Sequence, residues 1–271
     1  MIDSLRKHLN KYPNLYMSFS KIYRKIIYPL ITGHFQYYCN YNLFIKKNEI
    51  NKLKSYGFSD INPINYREWR IGKGKDGAYR RYYLAQYKSQ KCFIKIGTND
   101  MTVANELNIL KKLKDSNIEF SPTYVIGDNY FKQDTVMIAV KYLEGLKKFT
   151  IPSSISEFED ICTQFLNILD LLEQNNILHA DVHQGNLMLF NQKLYLLDYG
   201  ISMVVNDGNE IDYISRPGTF YIEEDGYRKY DDAFSFNELL KKQGLKDEFL
   251  DCKSYKEVKN RVGKFILKIK L

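Results

Sequence analysis

Between His179 and Gly200 the chain reads HADVHQGNLMLFNQKLYLLDYG, and three of these side chains suit phosphoryl transfer: Asp181, Asn186 and Asp198. A carboxylate such as Asp181 accepts the proton of an attacking hydroxyl. Asn186 and Asp198 offer oxygen donors of the hard kind that magnesium takes. The spacing is H-x-D-x-x-x-x-N, then two apolar runs, Leu187–Phe190 and Leu194–Leu197, around Asn191-Gln192-Lys193, then D-Y-G. The two runs predict a tight hairpin whose open end brings Asn186 and Asp198 together. Two aspartates and an asparagine in loops are common in soluble proteins. The hairpin and the D-Y-G that follows it make this set more specific.

The elements that would position these groups lie upstream. Trp69-Arg70-Ile71 leads into Gly72-Lys73-Gly74-Lys75-Asp76-Gly77, a G-x-G-x-x-G stretch, and Tyr79–Tyr87 and Lys91–Ile96 follow as β-rich runs. A glycine loop between antiparallel strands lets backbone N–H groups approach phosphate with no Cβ in the way. A dinucleotide-binding reading needs a helix directly after Gly77, and Ala78–Leu84 reads as strand. In Cys92-Phe93-Ile94-Lys95-Ile96, Phe93 and Lys95 share one strand face while Ile94 and Ile96 take the other. An inward lysine requires an anionic partner. Bound phosphates would serve, and so would Glu106 on the helix predicted by the stripe Val103, Leu107, Leu110, Leu113 over Met101–Leu113.

Val136–Val140 reads as a buried strand that Lys141-Tyr142-Leu143-Glu144-Gly145 breaks. Ser154-x-x-Glu157 is a capping box. It opens a long helix whose stripe, Phe158 to Leu172, is core. That helix ends near Gln174-Asn175-Asn176 and delivers the chain to His179. A further helix is expected from Asp232 to about Lys242, and a last basic one over 255–268.

Composition narrows the rest. Of 271 residues 44% are hydrophobic, enough for a sizeable core. No run of about 18 uncharged apolar residues is present to span a membrane, and the first ten residues lack the apolar run of a signal peptide. The four cysteines, Cys39, Cys92, Cys162 and Cys252, form no C-x-x-C pair. This argues against a zinc site and a disulfide framework and favours a reducing, cytoplasmic setting. The formal charge of +8 resides in the first 70 residues, where 12 Lys/Arg meet 4 Asp/Glu; the remaining residues hold 28 of each. Residues 1–65 therefore read as a basic, aromatic, helical extension, with helical spacing over Ser18–Tyr28 and a turn at Asn62-Pro63. Such a segment suits an anionic membrane face, a less favoured nucleic-acid contact, or simple packing on the main domain.

Taken together and in this order, the glycine loop, Lys95, Glu106, H-x-D-x-x-x-x-N and D-Y-G resemble the protein-kinase-like superfamily. The resemblance implies an α+β, bilobal fold: a small antiparallel β-sheet N-lobe (66–142) and a mainly helical, trimmed C-lobe (146–271). It implies that Gly72, Gly74 and Gly77 cover ATP phosphates, that Lys95 holds them and pairs with Glu106, and that the backbone of Lys141 and Leu143 meets adenine. Asp181 would be the catalytic base, Asn186 and Asp198 the Mg²⁺ ligands, and Asp232 a buried brace for the catalytic loop. Gly218-Thr219 with Tyr221 resembles the substrate-side loop of Ser/Thr kinases. Two positions depart from that pattern. Ala180 replaces the usual arginine, which implies activity without activation-loop phosphorylation. His183 stands where Ser/Thr kinases carry lysine, and D-x-H-x-G-N is similar to small-molecule and bacterial lipopolysaccharide-core kinases. The expected acceptor is a hydroxyl on a protein or on a glycan. A non-catalytic binding module is the contrasting class.

Overall fold

The computed structural model describes residues 45–64, 79–115, 120–132, 134–152, 154–204, 222–224, 227–229 and 231–243. The glycine loop, the helices expected over 18–28 and 255–268, and Gly218, Thr219 and Tyr221 lie outside them.

A five-stranded antiparallel sheet forms the first layer, in the order β1 (Phe58–Pro63), β2 (Tyr79–Tyr87), β3 (Gln90–Thr98), β5 (Thr135–Lys141), β4 (Tyr124–Lys132). The β2–β3 hairpin turns at Lys88-Ser89, both at positive φ, which places Tyr82 opposite Lys95 and Arg80 opposite Gly97. Side chains alternate between faces. Ile94, Ile96, Tyr83 and Ala85 pack behind the sheet with Leu53 of helix α1 (Lys46–Ser55). Phe93, Lys95, Tyr82 and Arg80 face a cleft on the other side.

Helix α1 and β1 fall within the 1–65 segment read above as a helical extension. β1 is a strand of the sheet, where Phe58 pairs with Tyr87 and Pro63 with Tyr83, and Leu53 of α1 packs behind it. Asn62-Pro63 is therefore strand, not turn. A proline is tolerated because β1 is an edge strand and Pro63 is its last residue, and a register shift between Ser59 and Asn62 absorbs the irregularity.

Helix α2 (Met101–Asp115) follows β3 after only Asn99 and Asp100. Asp100 accepts from the Thr102 N–H at 3.1 Å and caps its first turn. Helix α3 (Ile155–Gln174) starts at Ser154, whose hydroxyl accepts from the Glu157 N–H at 3.3 Å. The strand pair β6 (Leu187–Phe190) and β7 (Lys193–Leu196) turns on Asn191-Gln192, both at positive φ. Helix α4 (Asp232–Lys242) is capped by Asp231. The apolar core does not divide at the cleft. Val103, Leu107 and Leu110 of α2 share one cluster with Phe165 and Leu169 of α3, Leu187 and Leu196 of the hairpin, and Tyr199. Among the described residues no helix is long and apolar enough to cross a membrane.

Candidate active site

A cleft of about 520 Å³ lies between the sheet and the β6–β7 hairpin. Lys95, Glu106, Lys141, Leu143, Asp181, Asn186 and Asp198 all line it. Gly72, Gly74 and Gly77 are outside the described residues, so nothing places them.

Lys95 projects from β3, and its Nζ lies 2.5 Å from Glu106 Oε2 and 3.2 Å from Asp198 Oδ1. Only about a tenth of the Lys95 and Glu106 side chains is exposed, against 41% for Asp198. Burial alone would lower the lysine pKa, but the two carboxylates outweigh it and hold the ammonium charged. The Lys95 charge in turn holds the Asp198 carboxyl well below the usual carboxylate range. Burial pushes Glu106 the other way, against the pull of Lys95; at 2.5 Å the ionic pair is the state that the geometry describes. One ammonium thus faces two carboxylates, and the surplus negative charge opens into the cleft.

Asp198 itself sits at φ 62, ψ 75, a left-handed conformation uncommon outside glycine. The hairpin sets its place. Leu187 pairs with Leu196, and the Leu197 N–H donates to the Asn186 carbonyl at 2.8 Å, so Asn186 and Asp198 emerge side by side. The Asn186 amide nitrogen donates to the Asp181 carbonyl at 3.0 Å and to Asp181 Oδ2 at 3.1 Å. That turns Asn186 Oδ1 away as a spare acceptor. An amide oxygen and an ionised carboxylate beside a negatively biased cleft fit a magnesium ion bound with nucleotide phosphates.

The loop around Asp181 is braced from beneath. Asp232 accepts from the N–H groups of His179 at 2.7 Å and Ala180 at 2.9 Å. Burial pushes its carboxyl up to about 7. His179 is fully buried; its Nδ1 accepts from the Asp181 N–H at 3.2 Å, so Nε2 carries the proton and donates to the Leu197 carbonyl at 3.0 Å. Burial lowers its pKa to about 4, and it is neutral at ordinary pH.

The D-x-H-x-G-N pattern acquires a physical reason. The Gly185 N–H donates to His183 Nδ1 at 2.8 Å, and a Cβ at Gly185 would lie 2.7 Å from the ring. With Nδ1 accepting, the neutral ring carries its proton on Nε2, which faces Asp181 Oδ1 at 3.6 Å. Of the two expected hinge residues, Lys141 has its N–H committed to the Thr123 carbonyl at 2.9 Å.

Sequence reasoning missed Arg80, Tyr82 and Asn105. Counting back from the Lys88-Ser89 turn would have put Tyr82 opposite Lys95 and Arg80 two residues away on the same face. Arg80 is bound to Asp100 and Thr102 at the start of α2. Nothing in the sequence marks Asn105 except its place beside Glu106.

Comparison with known proteins gives this arrangement a family. The protein kinase domain model matches residues 67–231, more than half of the chain, and the chain belongs to that family. It is similar to calcium/calmodulin-dependent protein kinase type 1 of Caenorhabditis elegans, with 24% identity over 160 residues covering 52% of this chain and 44% of that one. It is similar also to the serine/threonine-protein kinase ppk31 of Schizosaccharomyces pombe, with 25% identity over 179 residues, 60% of this chain and 17% of that one. Among solved structures, the Cydia pomonella granulovirus kinase PK-1 aligns at 17% identity and TM-score 0.49, covering 70% of this chain and 68% of that chain. The chain spans less than half the length of the curated relatives named here.

Proposed function

We propose that the chain transfers the γ-phosphoryl group of ATP to a hydroxyl, with serine or threonine of a protein as the acceptor. The observation that carries this reading is the convergence of Lys95, Glu106 and Asp198 with Asp181 and Asn186 on one cleft. When bound, Mg-ATP supplies the transferable phosphoryl group and a divalent charge that offsets negative charge building on it. Asn186 Oδ1 and Asp198 are the residues that would hold the metal. Lys95, fixed by Glu106, positions the phosphates. Asp181, held by Asn186, orients the acceptor hydroxyl and takes its proton. The chain's own contribution is placement and fixed charge. The protein acceptor rests on the names of the similar kinases, two of which act on proteins by title.

A second acceptor class has one specific observation in its favour. His183, tied to Gly185, faces Asp181 where Ser/Thr kinases carry a lysine, a feature that suits a glycan hydroxyl. Incubation with labelled ATP against protein and glycan acceptors separates the two. Asp181→Ala is expected to lower transfer by roughly 10²–10⁴-fold while nucleotide binding persists. Unchanged turnover in that variant removes Asp181 from its assigned role. Nucleotide binding with no transfer to any acceptor, autophosphorylation included, makes the chain a binding module instead.

A further inference from the structure

Asn105 sits on α2 one residue before Glu106 and is not part of the cleft wall. Its side-chain nitrogen points at the turn that follows Asp198 and lies 3.4 Å from the Tyr199 carbonyl, 3.2 Å from that of Gly200 and 2.7 Å from that of Ser202. Three carbonyl oxygens fix the orientation of the amide, because the flipped form would set oxygen against oxygen. We propose that Asn105 is a positioning residue for magnesium: it fastens the Asp198 segment to the helix that carries Glu106, so that the lysine pair and the metal ligand form one body. The inference rests on the functional reading given above.

Three further features act in the same place. A Cβ at Gly200 would lie 3.2 Å from Thr102 Cβ and 3.4 Å from its carbonyl, so the turn lies close against α2 with little room for a side chain between them. The first turn of α2 is in turn clamped to β2: Arg80 binds both Asp100, the residue that caps the helix, and Thr102. The left-handed Asp198 persists only where its surroundings hold it. Lys95 holds its carboxylate from one side, and Asn105 holds the turn that follows it on the other. With both ends secured, Asp198 presents its exposed oxygen to the cleft at a fixed place. Loss of the Asn105 amide frees the second end alone.

Outer groups that orient metal ligands typically govern metal affinity by roughly 10–100-fold. The test uses the full chain and a fluorescent ADP analogue, titrated with Mg²⁺ and, separately, in EDTA. Asn105→Asp keeps the size of the side chain but turns its donors into acceptors against three carbonyls. Asn105→Ala removes the group without adding charge. Both are expected to raise the magnesium concentration at half-saturation by about 10-fold and to leave metal-free nucleotide affinity unchanged. Asn105→Gln, which restores an amide on a longer arm, should recover part of the difference. A magnesium midpoint unchanged in both variants overturns the proposal. So does an equal loss of metal-free and metal-dependent binding, which would mark Asn105 as a general packing residue. If the unaltered chain binds nucleotide with no response to Mg²⁺, the functional reading itself fails, and that result is distinct from either of the others.

Discussion

Two buried ionic clusters occupy opposite faces of the same sheet. Behind it, Arg81 of β2 meets Glu49 of α1: Oε2 accepts from Arg81 Nε at 3.0 Å and from the Tyr83 hydroxyl at 2.6 Å, and Oε1 lies 2.5 Å from Nη2. In front, Lys95 of β3 meets Glu106 of α2 and Asp198. Both join a basic strand residue to a helix carboxylate, and Arg81, Glu49, Lys95 and Glu106 are all largely buried. The balance of charge differs. The rear cluster matches one guanidinium to one carboxylate and is sealed. The front cluster sets one ammonium against two carboxylates, and Asp198 stays 41% exposed to the cleft. Burial of a charge does not by itself mark a site. A charge left uncompensated beside a cavity does.

That contrast is open to direct test. The largest effect is expected behind the sheet: Arg81→Met strands Glu49 and should cost about 3–5 kcal/mol of stability, read from urea unfolding, with activity per folded molecule unchanged. The double replacement Arg81→Met with Glu49→Leu should recover most of the loss. Lys95→Met should differ in its readout: it lowers phosphoryl transfer by about 10²–10³-fold, and, because it leaves the buried Glu106 without its ammonium, it lowers the unfolding midpoint as well. An activity loss per folded molecule in the first variant, or unchanged transfer in the second, would erase the distinction between the clusters.

A smaller effect concerns the floor beneath the cleft, where two buried groups give stability opposite responses to pH. His179, lowered from 6.5 to about 4, contributes stability that is full above pH 6.5 and is lost as pH falls toward 4. Asp232, raised from 3.8 to about 7, contributes stability that is full below pH 3.8 and is lost as pH rises through 7. The two slopes oppose each other between about pH 4 and 6.5, so the unaltered chain should be nearly flat there. Asp232→Asn should lose stability on acidification across that window, and His179→Gln should gain it. Parallel curves for the two variants would refute the assignment. The smallest effect concerns Tyr199, whose buried hydroxyl has no hydrogen-bond partner among the described residues. Tyr199→Phe should raise stability by about 1 kcal/mol, visible as a higher melting temperature, with transfer retained.

Much of this was legible before the coordinates. Strand alternation around Lys95, the helical stripe through Leu107 and Leu110, the capping box at Ser154 and the hairpin around Asn191-Gln192 are local patterns, and each predicts a local element. The charge on Lys95 also predicts a partner, because an unpaired buried ammonium is too costly. What escaped was set by register and by tertiary packing. Asn62-Pro63 carries a turn signature, and only membership of an edge strand overrides it. Arg80 and Tyr82 face the cleft because of where the β2–β3 turn falls. Asn105 finds its three carbonyls 94 to 97 residues away, a relation that no local period records.

The link between β3 and α2 has two residues, and Asp100 serves at once as linker and as helix cap. Two residues reach no more than about 7 Å when fully extended. A partner protein that tried to silence this chain by levering the helix outward would first have to unzip the end of a central strand. The position of Glu106 is thereby tied to the end of β3, and a shift of the helix start is felt directly in the sheet.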